Sequence, residues 1–108
     1  MSIKYQVMRA NLGAATNWAS AWKACKAYKG EGGNEGDWRL PTQRELLMIW
    51  ILYPQLIGKG GFTTYSTNYY WSSSEYSANL AWNMLFINGF ASSTSKTSSY
   101  YVRCIRDL

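Results

Sequence analysis

The 108 residues include no histidine, two cysteines, two prolines and six carboxylates. Each scarcity excludes something. Two thiolates without histidine make a poor zinc site. A cysteine nucleophile would lack its usual base. Carboxylates this few and this dispersed do not build an oxygen cage for calcium. No apolar run approaches the roughly eighteen residues of a membrane-crossing helix. The longest, LLMIWIL at residues 46–52, is far too short. The opening MSIKYQVM has no apolar core of the signal-peptide kind. The chain is therefore expected to carry no catalytic residue, metal ligand or cofactor, and not to insert into a membrane.

What is present points to a folded domain. Hydrophobic residues make up 47% and aromatic residues 17%. Disorder needs low hydrophobicity and high charge density. The length suits one domain over residues 1–108 with a core of its own. The net charge is +5, which raises the question of nucleic acid. Lys23, Lys26 and Lys29 lie three apart on a candidate helix, as a solvated face, and the other cations are scattered. No basic stripe interleaves with stackable rings, so nucleic-acid binding is not expected. Cys25 and Cys104 read either as two buried thiols or as one disulfide. A bridge would close nearly the whole chain and add roughly 4 kcal/mol. It is the preferred reading for a protein that matures in an oxidising compartment.

Along the chain, residues 3–8 alternate weakly as a first strand. Thr16 or Asn17 caps a helix, and Trp18, Trp22 and Cys25 form its buried stripe. That helix should end near Lys29 and Gly30. GEGGNEGD, residues 30–37, lacks the order of a phosphate loop and carries acids that would repel phosphate. It reads as a surface loop. Pro41 keeps Leu40 extended. Thr42 and Glu45 form a capping box that opens a second helix. Leu46, Leu47, Trp50 and Ile51 are its expected buried side, and Pro54 stops it near Tyr53. Residues 58–68 form a long loop.

Beyond it the period changes to two. Trp82, Met84 and Phe86 should point inward. Ala81, Asn83, Leu85 and Ile87 should point outward. Asn88-Gly89 signals a hairpin between residues 80–87 and 90–96. Residues 101–105 read as the closing strand.

WRLPT with a following EL, then YWSSSEY, AW, NG and YVRCIRD, resembles the bacterial domain family marked by WRLPT, YWSSTE and YVRxVR. The resemblance covers nearly the whole chain. It implies an α+β, C-type-lectin-like fold: two helices packed on antiparallel β-sheets, with the termini paired. That fold's habit of bridging the first helix to the last strand suits Cys25 and Cys104. In finer detail the chain is similar to variable proteins of diversity-generating retroelements, related in fold to the phage major tropism determinant. Trp71, Glu75, Trp82, Phe86, Gly89, Lys96, Tyr101 and Arg103 match the framework of their variable region, here about residues 70–106.

The positions between them are Ser77, Leu80, Leu85, Ile87, Asn88, Phe90, Ser92, Ser93, Thr94, Ser95, Thr97, Ser98 and Tyr100. Adenine-targeted mutation of an Asn codon ending in a pyrimidine cannot produce Lys, Glu, Gln, Met or Trp, and none of these positions holds one. Small polar residues with occasional rings are also the mixture of antibody paratopes. The resemblance thus implies a non-enzymatic ligand-binding face. The ligand would be protein or glycan on a cell or phage surface, and the chain itself extracellular, at a cell surface or on a phage particle. The alternative is a structural or adhesin domain of a surface or pilus-like assembly. Asn83 is followed by Met84 and no Glu-Pro-Asn occurs, which departs from sugar-binding C-type lectins. The formylglycine-generating enzyme shares the fold but needs a reactive cysteine pair, which bridged cysteines would not supply.

Overall fold

In a computed structural model that describes residues 5–30 and 33–108, short strand β1 (Tyr5–Val7) leads into helices α1 (Trp18–Ala27) and α2 (Gln43–Leu52). Two single-turn 3₁₀ helices follow at Tyr53–Gln55 and Lys59–Gly61. Strands β2 (Tyr69–Glu75), β3 (Leu80–Leu85) and β4 (Phe90–Ser95) form an antiparallel sheet with β3 central. The last strand, β5 (Ile105–Asp107), pairs antiparallel with β1 and joins the two ends of the chain. This α+β arrangement of two helices on antiparallel sheets is the C-type-lectin-like fold. The expected strand at 3–8 is seen as Tyr5–Val7; residues 3 and 4 lie outside the described residues, as do residues 31 and 32 of the glycine loop.

Local chemistry explains the helix ends. The Asn17 side chain accepts a hydrogen bond from the Ser20 N–H and caps α1. The expected capping box opens α2: Thr42 Oγ1 accepts from the Glu45 N–H, and the Glu45 carboxylate accepts from the Thr42 N–H at 2.8 Å. Arg39 donates to both Glu45 oxygens, at 2.6 and 2.9 Å, and to Asp107 at 3.1 Å. Burial pushes the Glu45 pKa upward, but the hydrogen bonds from Arg39 and Thr42 outweigh it and hold the pKa below the ordinary carboxylate value. The helix start is thereby tied to β5.

Both helices turn differently from the expected phase. In α1 the buried residues are Ala21 and Cys25, with Trp18 half-buried; Trp22 is 43% exposed. The small Ala21 lets the helix approach the sheet closely, and that centres the contact one step away from Trp22. In α2 the inward residues are Leu46 and Ile49, with Trp50 beside them, while Leu47 and Ile51 face solvent at 45% and 58% exposure. From Leu46 to Leu52 every residue of this helix is apolar, so periodicity could not choose its face.

Two aromatic-rich clusters lie on either side of the main sheet. One gathers Ala21, Cys25, Trp38, Leu40, Trp71, Ala81, Val102 and Cys104. The other gathers Leu46, Ile49, Phe62, Tyr65, Tyr70, Met84 and Phe86. Because β3 is covered on both sides, Ala81 and Asn83 are buried as completely as Met84. This corrects the expectation that Ala81 and Asn83 look outward. Trp82, expected in the core, is half-buried and meets Tyr76 edge-on at 5.6 Å.

The Cys25–Cys104 disulfide is formed, with the alpha carbons 5.6 Å apart across 79 residues of sequence. It ties α1 to the segment just before β5. Tyr101 bridges to Tyr70, and the strand proper starts only at Ile105, later than expected. Arg103, 2% exposed, spends its donors on neutral oxygens. Nε donates to Asn11 Oδ1 at 2.8 Å, Nη1 to the Thr63 carbonyl at 2.9 Å, and Nη2 to Thr63 Oγ1 and the Thr64 carbonyl at 2.8 Å each. Its guanidinium also lies 4.0 Å from the centre of the Tyr65 ring. One side chain thus pins the long loop before β2 to the N-terminal segment.

Candidate ligand-recognition face

The hairpin β3–β4 carries most of the positions singled out by sequence. Its loop spans residues 86–89, longer than the expected two-residue turn, and Gly89 closes it at φ +74°. A Cβ on Gly89 would fall 2.8 Å from atoms of the Trp50 ring. The Trp50 indole also donates to the Phe86 carbonyl at 3.1 Å. Glycine is needed here both for its backbone conformation and for space. Phe86 tucks back into the core and stacks on Tyr65 at 4.3 Å. Ile87 and Asn88 are left at the exposed tip.

Register decides which positions share a surface. Leu85 pairs with Phe90, Asn83 with Ser92 and Ala81 with Thr94. On the other side Tyr69 pairs with Leu85 and Trp71 with Asn83. Directly opposed residues stand on one face, so Tyr69, Leu85, Phe90, Ser92 and Thr94 surround Asn83. Tyr100 completes the patch, 4.9 Å from the Tyr69 ring and 4.8 Å from Trp71. Phe90 is 60% exposed; Leu85, Ser92, Thr94 and Tyr100 are half-buried.

The remaining positions are spread more widely. Ser93 opposes Trp82 and Ser95 opposes Leu80, which puts those residues on the other face. Ser95 and Thr97 hydroxyls bond each other at 2.7 Å at the strand end. Ser98 closes the following turn through its N–H to the Ser95 carbonyl. Ser77 is exposed in the β2–β3 turn, where its Oγ accepts from the Asn79 and Leu80 N–H groups. None of the thirteen positions belongs to the buried core, yet they do not form one patch. Leu85, Phe90, Ser92, Thr94 and Tyr100 come together; Ile87 and Asn88 extend them at the tip; Leu80, Ser93 and Ser95 look away.

Sequence reasoning missed the centre of this face. Asn83 has no solvent exposure. Its Oδ1 accepts from Ser92 Oγ and its Nδ2 donates to Thr94 Oγ1, each at 2.7 Å. A buried carboxamide without partners is costly, so Ser92 and Thr94 hold the floor as well as cover it. A polar residue in the middle of LAWNMLF was the available signal. Lys96 is the other fixed point. Its ammonium lies 4.5 Å from the centre of the Trp18 ring, donates to the Ala78 carbonyl at 3.0 Å and sits 3.7 Å from Glu75. It locks the end of β4 to α1 and to the β2–β3 turn. Among the described residues, no group of three His, Cys, Asp or Glu side chains is placed to hold a metal.

A disulfide-tied scaffold with a shallow polar and aromatic sheet face is the build of a binding domain of C-type-lectin-like type. The chain belongs to the family of the Lcl C-terminal domain, whose sequence profile matches residues 6–106. That family fits a ligand-binding variable domain. No curated protein matches the chain.

Proposed function

We propose that the Tyr69, Leu85, Phe90, Ser92, Thr94 and Tyr100 face, extended by Ile87 and Asn88, is a ligand-recognition surface diversified by a retroelement. Its ligand is a protein or glycan on a cell or phage surface, and the domain works outside the cell or at its surface. The observation that carries this reading is the contrast around Asn83. Rigid framework groups lie beneath, and small hydroxyls with a few rings lie above. Exposed rings supply contact area at low entropy cost, and hydroxyls supply adaptable hydrogen bonds. The Cys25–Cys104 disulfide supports an oxidising compartment, and no described helix is long and apolar enough to cross a membrane.

The test is a surface-displayed library randomised at Leu85, Ile87, Asn88, Phe90 and Tyr100. Members should keep the parent's melting temperature while gaining or losing binding to intact cells or phage. A library that mostly fails to fold sinks the reading. Restoring Phe90 and Tyr100 together should recover parental binding, because rings carry most interface energy. A second reading, a structural or adhesin domain that packs this face on a neighbouring subunit, draws on the exposed Ile87 and Phe90. Concentration-dependent association abolished by Phe90→Asp would favour it. A reverse transcriptase gene beside a near-copy of the 3′ end, differing at adenines, would favour the first.

A further inference from the structure

The outer side of α2 is as apolar as its inner side. Leu47, Ile51 and Leu52 are exposed there, and Leu56 and Ile57 continue the surface beyond the helix. A helix that is apolar all round is normally covered all round, and a patch of this kind facing water usually meets a partner.

Two further observations say what would cover part of it. A groove of about 270 Å³ runs between α2 and β1, lined by Tyr5, Val7, Met48, Ile49, Leu52 and Leu56. Beside it, β1 is an edge: its one strand neighbour among the described residues is β5. The Met8 N–H bonds the Cys104 carbonyl at 3.1 Å, and Gln6 opposes Arg106 in the same register. Antiparallel ladders alternate, so Gln6 and Met8 face β5. The backbone N–H and C=O of Tyr5 and Val7 therefore point away from it, toward the open edge. Edge groups that no described strand pairs, beside an apolar groove, are the two halves of a strand-addition site. The backbone supplies affinity and the groove selects alternate side chains.

We infer that β1 and the α2 groove form a second binding surface, for an extended segment of another protein with apolar residues at alternate positions. The segment lies along β1, exchanges hydrogen bonds with Tyr5 and Val7, and sets its apolar side chains on Met48, Leu52 and Leu56. A helical partner would use the apolar wall and leave the strand edge unused. The surface is built from other elements than the β3–β4 hairpin, so it does not depend on the recognition face.

The probe is a fluorescein-labelled peptide that alternates lysine and threonine with valine and leucine, titrated into the 108-residue chain by anisotropy. Saturable binding is expected, with slowed amide exchange at Val7 in the complex. Val7→Pro removes an N–H that β1 does not use for β5, so the fold should survive while affinity falls at least about tenfold, or about 1.4 kcal/mol. Leu52→Lys should weaken binding similarly, and Phe90→Ala should leave it unchanged. The inference is overturned by an absence of saturable binding or by unchanged exchange at Val7. It is also overturned by affinity that Leu52→Lys leaves intact. Dimers of the chain itself that the peptide fails to displace would assign the surface to a second copy instead.

Discussion

Strands β2 and β4 lie in the same sheet on either side of β3, and both carry runs of small hydroxyl residues: Ser72, Ser73 and Ser74 in one, Ser92, Ser93, Thr94 and Ser95 in the other. The first run is structural. Ser72 is fully buried; its Oγ donates to the Trp82 carbonyl at 2.8 Å and accepts from the Ser74 N–H, while Ser74 Oγ accepts from the Gln43 N–H at the start of α2. The second run lies on an edge strand, and no residue of β4 is buried. The residue type is the same and its meaning opposite. The difference comes from what covers each strand. Helix α2 and the segment around Pro41 close over β2, through contacts such as the Ser73 N–H to the Pro41 carbonyl at 2.8 Å. In β4 the Ser92 and Thr94 hydroxyls bond a framework side chain at Asn83, and no described helix closes over the strand.

The contrast can be broken or sharpened by substitution. Trp71→Ala in β2 should have the largest effect. Its ring has no solvent exposure and its Nε1 donates to the Thr16 carbonyl at 2.8 Å. A loss of about 3–5 kcal/mol is expected in urea unfolding, and retention of the parental midpoint would mean that β2 is not framework. Ser72→Ala removes two buried hydrogen bonds and should cost about 2 kcal/mol by the same measurement. Thr94→Val leaves the Asn83 amide donor without its partner and should cost about 1 kcal/mol, although it lies in the tolerant strand. Thr94→Ser should restore most of that loss, which separates the hydrogen bond from the methyl group. Ser93→Ala should change the unfolding free energy by less than about 0.5 kcal/mol. If Ser93→Ala proves as costly as Ser72→Ala, the division between the two strands fails.

Much of the framework was legible because its signals are local. A threonine three residues before a glutamate, ahead of an apolar run, has few uses other than a helix start, and Thr42 and Glu45 are found in that role. Asn88-Gly89 marked the hairpin, although the loop that closes it also takes in Phe86 and Ile87. The exposure of Trp22, Leu47 and Ile51 was not legible. A helix that is apolar on every side offers no period that picks its buried face. In α1 the size of Ala21, rather than the hydrophobicity of Trp22, set the contact. The same limit applied to β3. Alternation separates two faces but cannot tell that both are covered.

The sequence by itself determined the punctuation of the chain, its α+β order and the family to which it belongs. Caps, turns and motif residues act within a few positions of one another, so their chemistry is already complete in the linear text. Only the tertiary structure decided that Arg103 gathers Asn11, Thr63 and Thr64. It also separated the hydroxyls that hold Asn83 from those that simply face water. Those outcomes depend on surfaces brought together from distant parts of the chain, where burial gives a serine or an asparagine a value that its neighbours in sequence do not encode.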